Sequence, residues 1–254
     1  MNKVINTQNP ELLSQNLKYS QPPTPNSKLK ICVLGTRGFP NVQGGVENHC
    51  ENLATRLSEK GCKVTVIRRK PYVKDNLKEY KGVKFVDLWA SHSKYLEAFL
   101  HTFLGVLYSF FKLKPDILHI HAIGPALFTP LAKLLGMKVV FTHHGPDYRR
   151  KKWNRFAKLV LKLGEFLGVR FADAVICIGR NITEELKRKD PFKEKKVFFI
   201  PNGIEISKEI GRQIEDEILK RYGLEKGKYI LSVGRFVPEK GFDVLVSAFN
   251  LFSS

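Results

Sequence analysis

The chain has 254 residues, 43% of them hydrophobic, enough for a sizeable core and for one large domain or two ordinary ones. It carries 43 Lys and Arg against 24 Asp and Glu, a net charge of +19, which fits either an anionic partner (nucleic acid, a phosphorylated substrate or an anionic membrane) or simply a solubilised surface. No zinc finger, RRM or helix-turn-helix pattern accompanies the charge and the basic residues are scattered, so nucleic acid is not an expected partner.

Residues 1–27 are polar, hold Pro22-Pro23-Thr24-Pro25 and contain no apolar stretch of the signal-peptide kind. They are expected to be a disordered tail. The first strand is expected over Leu29–Gly35, followed by a loop with Gly38, Gly44 and Gly45 and a helix from Val46 to Lys60, with Gly61 as its C′ residue. A strand, a glycine-rich turn and a helix start are the parts of a phosphate cradle, because glycine admits close backbone approach and the first helical N–H groups face an anion. The spacing is not G-x-G-x-x-G, the second strand (Lys63–Arg68) leads into Arg69 rather than an acidic residue, and no Lys follows Gly45. Both common nucleotide fingerprints are therefore excluded. A phosphate site, a sugar site and a plain strand–helix turn remain, and Glu47 in the first helical turn also suits the helix dipole.

A third strand is expected over Val83–Trp89 and a long apolar helix over Lys94–Leu113, stopped by Pro115. The core of that helix carries Glu97 and His101 and is shorter than the ~20 residues of a membrane span, so it is expected to pack on a sheet. Strand four is Asp116–His121, followed by a helix over Pro125–Leu135, strand five at Lys138–Thr142, and a basic loop, Tyr148–Lys152, that opens a helix over Trp153–Phe171. Strand six (Asp173–Ile178), a short helix (Ile182–Lys189) and strand seven (Lys196–Ile200) lead to Pro201-Asn202-Gly203. This alternation predicts an α/β fold with a doubly wound, Rossmann-like parallel sheet over 28–205, whose ligands bind at the carboxyl ends of the strands. A polar helical connector over 206–226 follows, and Lys228–Arg235 then restarts as a strand, with a loop at Phe236–Lys240 and a helix at Gly241–Phe252. Residues 227–254 thus read as the first βα unit of a second Rossmann-like domain.

Cys32, Cys50, Cys62 and Cys177 form no C-x-x-C pair and fall within strand and helix patterns, so they are expected to be buried, reduced thiols of a cytoplasmic protein. His119 and His121 share a strand face, and His143-His144 end the next strand. Three readings stay open for these four: a zinc site, as in a metal hydrolase, hydrogen bonding to a substrate, or satisfied core histidines. Arg235 and Lys240 on one loop make a diphosphate clamp. The segment Lys151–Lys162 interleaves cations with Trp153, Phe156 and leucines, a pattern shared by helices that lie on anionic bilayers and by core helices with a solvated basic face.

The run Gly35-Thr-Arg-Gly-Phe-Pro-Asn-Val-Gln-Gly-Gly-Val-Glu47 resembles the N-terminal loop of retaining GT-B glycosyltransferases of family 4, in particular the bacterial rhamnosyltransferase-like branch of cell-surface polysaccharide synthesis. Asp116-Ile-Leu-His-Ile-His121, Thr142-His-His-Gly145, Ile200-Pro-Asn-Gly-Ile-Glu205 and Ser232-Val-Gly-Arg-Phe-Val-Pro-Glu-Lys-Gly241 fit the same order, so the likeness runs from Leu29 to Ser254. The resemblance implies an acceptor-side domain and a donor-side domain that takes a nucleotide-diphosphate-sugar such as dTDP-rhamnose, without metal or other cofactor. It implies that Gly44, Gly45, Glu47, His121 and Asn202 bind substrate, that His144 contacts the transferred sugar, and that Arg235 and Lys240 neutralise the leaving diphosphate. It implies a lipid-linked saccharide acceptor at the inner face of the membrane, with the helix near Trp153 docking there. The family's pair of glutamates, seven residues apart in the donor domain, is not present up to Ser254. The chain is therefore expected to be the first half or so of such an enzyme, either completed by a partner chain as one piece of a split enzyme, or catalytically silent.

Overall fold

The computed structural model describes residues 29–93, 96–189, 196–203, 212–234 and 236–253. The expectation of a disordered tail falls on residues outside this set. Eight strands lie among the described residues: β1 (Lys30–Leu34), β2 (Lys63–Arg69), β3 (Glu79–Tyr80), β4 (Val83–Leu88), β5 (Ile117–His121), β6 (Val139–His143), β7 (Ala174–Cys177) and β8 (Val197–Phe199). They form one sheet in the order β3-β4-β2-β1-β5-β6-β7-β8. The pairs β1–β2, β2–β4, β6–β7 and β7–β8 are parallel; β3 is a two-residue antiparallel edge on β4 that the sequence reading did not anticipate. The strand order reverses between β1 and β5. The helices are α1 (Gly45–Glu59), α2 (Glu97–Tyr108), α3 (Thr129–Leu134), α4 (Arg155–Phe171), α5 (Arg180–Lys189), α6 (Arg212–Arg221) and α7 (Phe242–Ser253). The doubly wound parallel sheet expected from the sequence is the fold.

Two compact units divide the chain, residues 1–119 with 131–139 and residues 120–130 with 140–254. In the first, Ile31 and Val33 of β1, Val64 and Val66 of β2, and Val83 and Phe85 of β4 pack with Cys50 and Ala54 of α1 and with Phe39 from the loop after β1. β1 is buried after its first residue, and α2 lies close enough that a Cβ on Gly105 would stand 2.5 Å from Leu34 Cδ1. The expected helix over 94–113 is α-helical to Tyr108 and finishes in a π-turn, Ser109–Leu113, closed by Lys114 in the left-handed region. Ser109 is buried there, its hydroxyl donating to the Gly105 carbonyl at 2.7 Å and meeting Cys32 Sγ at 3.3 Å.

The carboxyl end of β2 is organised by a fully buried cation. All five N–H groups of Arg68 have acceptors: Nε and Nη2 on the two oxygens of Asp87 (2.7 and 3.0 Å), Nη1 on Asp75 (2.9 Å) and the Phe39 carbonyl (3.2 Å), and Nη2 also on the Leu77 carbonyl (3.1 Å). Its guanidinium lies 4.1 Å from the centroid of Phe85. Asp87 is its cross-strand partner in the β2–β4 register. Burial alone would disfavour the charge; the hydrogen bonds and fields of Asp87 and Asp75 reverse this and raise the pKa. Arg68 thereby ties β4, the 75–77 segment and the loop after β1 together. Gly38 in that loop has φ +134°, and a Cβ there would stand 3.1 Å from Arg68 Cβ.

In the second unit β6, β7 and β8 run in register, and α4 approaches β6 so closely that a Cβ on Gly168 would stand 3.0 Å from Phe141. α4 opens on Asn154, whose side chain accepts the Ala157 N–H at 2.8 Å. A Cβ on Gly164 would lie 2.1 Å from the Ile123 carbonyl oxygen, and one on Gly168 2.8 Å from Ala126 Cβ, so the helix sits against the segment after β5 at these two glycines. The predicted strand at Lys228–Arg235 is corrected. Tyr229 to Gly234 form no strand and Ile230, Leu231 and Val233 are exposed, because a strand exists only through hydrogen bonds to a neighbour and no described strand pairs with it. The four cysteines are free; Cys62 is half-buried rather than buried. Burial raises the pKa of Cys32 to about 12 and that of Cys177 to about 11, so both are inert thiols at neutral pH.

Two outcomes are expected from the first unit. Arg68→Ala leaves two carboxylates without their cation and is expected to destabilise the fold by about 3–5 kcal/mol in urea unfolding, with Arg68→Lys recovering little because an ammonium cannot reproduce the fork. His101 is fully buried, and burial, aided by the charge of Arg69, lowers its pKa from 6.5 to about 4. The unfolded chain takes up this proton near pH 6.5 and the native chain does not until about pH 4. Stability is therefore present above pH 6.5 and declines as pH falls towards 4, by about 3 kcal/mol, a slope that His101→Gln should flatten in urea titrations at several pH values.

Candidate functional site

In the first unit, the passage from the loop after β1 into α1 carries three of the sequence-predicted positions. Gly44 and Gly45 open α1, and a Cβ on Gly45 would meet nothing within 4 Å, so that backbone faces open space. Glu47 is buried; its Oε1 accepts the Arg37 N–H at 3.2 Å, and its Oε2 lies where a Cβ on Gly44 would be. The Glu47 carboxylate thus folds back on the loop and holds its two arms together. Arg37 itself is exposed, with its guanidinium 4.8 Å above the ring of Tyr72. Tyr72 donates to Glu97 Oε2 at 2.9 Å, and Glu97 also pairs with Arg69. This relay fixes the orientation of a surface cation on the glycine loop.

The second unit holds the histidines. His121 is fully buried at the end of β5, and its Nδ1 lies 3.0 Å from Nε2 of half-buried His144, with the rings stacked at 5.3 Å. One proton is shared across that contact, one ring donating and the other accepting. His143, the next residue along, turns the opposite way, as successive strand residues must. Its Nε2 is 2.7 Å from Glu165 Oε1, and its Nδ1 accepts the Gly145 N–H at 3.0 Å. Both nitrogens of His143 are thereby engaged, and His119, His121, His143 and His144 do not bring three ligand atoms together. Burial, then the neighbouring charge of Glu165, pushes the Tyr148 phenol up to about 12, and it donates to Glu165 Oε2 at 3.1 Å. Asp147, the one acidic residue near the histidines in sequence, is occupied by Arg150 and by the Trp153 indole N–H, both at 3.0 Å.

Of the remaining predicted positions, Asn202 is exposed in the turn after β8, and Lys240 is exposed in a one-turn 3₁₀ helix, Pro238–Lys240. Arg235 lies outside the described residues. The structure therefore joins His121 with His144, and Gly44 and Gly45 with Glu47. Arg68 and Glu165 were not expected from the sequence as organisers. A signal was present in each case: a charged residue on an otherwise apolar, buried stripe needs a partner. Glu165 shares its helical face with Ala157, Gly164 and Gly168, all buried.

The open, mostly parallel α/β sheet matches the GT-B glycosyltransferase fold. Residues 43–208 match the model of Glycosyltransferase Family 4, and the chain belongs to that family. An uncharacterized glycosyltransferase of Bacillus subtilis strain 168, YqgM, is 32% identical over 139 residues, 54% of this chain and 35% of that protein. Among solved structures, the sucrose-phosphate synthase of Thermosynechococcus elongatus has a TM-score of 0.61 at 19% identity, covering 87% of this chain and 59% of its own. Anabaena Alr3699/HepE, solved in complex with UDP and glucose, has a TM-score of 0.61 at 14% identity, covering 88% and 58%. A glycosyltransferase from Rickettsia africae has a TM-score of 0.58 at 20% identity, covering 89% and 57%. At these identities the likeness is one of fold. The chain spans less than two thirds of each of these relatives.

The closeness of α4 is testable. Gly164→Ala is expected to lower Tm by several degrees, because its Cβ would meet backbone that cannot move aside, whereas Gly179→Ala, whose Cβ would meet Ile182 at an ordinary 3.7 Å, is expected to change it little; differential scanning calorimetry decides.

Proposed function

We propose that this chain is the acceptor-side part of a retaining glycosyltransferase that moves a sugar, rhamnose from dTDP-rhamnose, onto a lipid-linked saccharide in cell-surface polysaccharide synthesis. The observation that carries the reading is the family match, which contains the Gly44-Gly45 helix start, the His121–His144 pair and Asn202. In this reading the bond between the anomeric carbon and the diphosphate oxygen breaks, and a bond to an acceptor hydroxyl forms on the same face. The hydroxyl proton passes to the departing diphosphate. Charge grows on that diphosphate, and Arg235 and Lys240 are the cations assigned to it. His144 contacts the sugar beside the reacting carbon, and His121 holds its ring. Gly44 and Gly45 admit the substrate to bare backbone. The HepE structure, with UDP and glucose bound to a related fold, supports a nucleotide-sugar as donor.

The membrane part of the reading rests on α4. Phe156, Leu159, Leu163 and Phe166 are 74, 65, 47 and 60% exposed and repeat at helical spacing. Arg155, Lys158, Lys162 and Arg170 share the helix with them, and its only acidic residue, Glu165, is turned inward. An apolar stripe between cations fits the headgroup region of an anionic bilayer. No helix among the described residues is long and apolar enough to cross a membrane.

Two measurements test this. The chain, and a version extended through the downstream reading frame, are incubated with labelled dTDP-rhamnose, UDP-sugars and GDP-sugars and a membrane extract. Label entering the lipid fraction from dTDP-rhamnose is expected with the extended protein, and His144→Ala should lower kcat about a hundredfold. Release of nucleotide from none of the donors would sink the assignment. In vesicle co-sedimentation, the chain should bind phosphatidylglycerol and not phosphatidylcholine, and Phe156→Ser with Leu159→Ser should weaken binding at least about tenfold. Equal binding by that double variant would remove the docking surface.

A further inference from the structure

The side chains behind the His144 turn form a closed set in the second unit. His143 is fully buried and its Nδ1 accepts the Gly145 N–H at 3.0 Å. A ring nitrogen that accepts an N–H carries no proton itself, so the ring proton sits on Nε2 and is donated to Glu165 Oε1, 2.7 Å away. The other oxygen of the same carboxylate accepts from Tyr148 at 3.1 Å. One carboxylate therefore grips the chain at residue 143 and at residue 148, on either side of His144 and Gly145. Glu165 is held at its depth by close packing on both sides, since neither Gly164 nor Gly168 leaves room for a Cβ against the segment after β5.

We propose that Glu165 is the positioning residue of this site. It selects the Nε2–H form of His143, the bare Nδ1 of His143 then fixes the Gly145 amide, and that turn presents His144 to His121. The inference rests on the reading of His144 as the sugar-contacting residue only for its catalytic consequence; the tautomer and the turn stand on the geometry alone. A carboxylate behind a histidine is a general way to set ring orientation. Here it acts one residue removed: the oriented ring is not the working one but the clamp on its neighbour's backbone. Gly145 has φ +112°, so the turn it makes is one that an ordinary side chain would not hold by itself.

The test is ¹⁵N NMR of the whole chain labelled at histidine and glycine. In the wild type, His143 Nδ1 is expected at a pyridine-type shift and Nε2 at a pyrrole-type shift, with a scalar coupling across the Gly145 N–H to Nδ1. The reverse tautomer would overturn the proposal without any variant. Glu165→Leu is expected to mix the tautomers, to speed Gly145 amide exchange at least about tenfold and to abolish the His121–His144 ring contact in NOE spectra. Glu165→Gln keeps an acceptor for His143, and is expected to retain the wild-type tautomer and Gly145 protection. Unchanged Gly145 exchange in a folded Glu165→Leu chain would overturn the clamp. In the extended enzyme, Glu165→Leu should lower kcat with little change in donor KM. A lost NMR signature with full transfer rate would instead count against the role given to His144, which separates the two failures.

Discussion

The first unit is organised around the fully buried guanidinium of Arg68. Arg68 brings a full charge to the end of a strand that carries Val64 and Val66 on the same face, and it is tolerated there because all five donors are matched and two carboxylates balance it. Such a group adds little net stability compared with a well-packed apolar core, since desolvation offsets most of the attraction. What it contributes is geometry. Its acceptors come from the cross-strand neighbour, from a surface segment more than five residues on, and from the carbonyl of Phe39. An apolar residue in its place would pack but would not choose among the positions of the glycine loop. The loop's backbone faces open space at Gly45, so it needs an anchor behind it, and Arg68 and Glu47 supply one on each arm.

The second unit solves the corresponding problem with a carboxylate. Glu165 reaches the end of β6 from a helix that can come close only where it has no side chains. The sequence of α4 thus carries two demands on opposite faces: small residues and one acid inward, aromatic and leucine side chains with cations outward. Neither face suits an isolated soluble helix. The inward face is accounted for by the grip of Glu165 on His143 and Tyr148, while the outward face exposes Phe156, Leu159, Leu163 and Phe166.

The alternation of strands and helices was legible because parallel strands covered on both faces read as short apolar runs between helical periods, and the glycines, Pro115 and Gly61 mark the joints. The antiparallel β3 was not legible, since two residues carry no period. Lys228–Gly234 read as a strand for the opposite reason: its composition is that of a buried strand, but pairing is a property of neighbours and not of the segment itself. His121 and His144 were singled out by their place at strand ends, and the structure brings their rings together. The division of labour between His143 and His144 was not legible, because it depends on which way each ring turns. Arg68 was noticed only as the wrong residue for a dinucleotide site; its use became visible once Asp87 stood opposite it.

The polar burden of the sheet is uneven along its strands. Thr36, Arg68, Arg69, His121 and His143 lie at or just beyond the carboxyl ends and are buried, while Lys30 and Lys63, register partners at the amino ends, are exposed. Exposed lysines need no explanation beyond solubility and the net positive charge. Buried arginines and histidines do, because each must recover its desolvation through specific partners. If stability alone had shaped the sheet, both ends would carry apolar residues or solvated charge. In each unit taken by itself, buried charged or imidazole groups stand at the carboxyl ends of strands, where Arg68 is matched at every donor and His143 at both ring nitrogens.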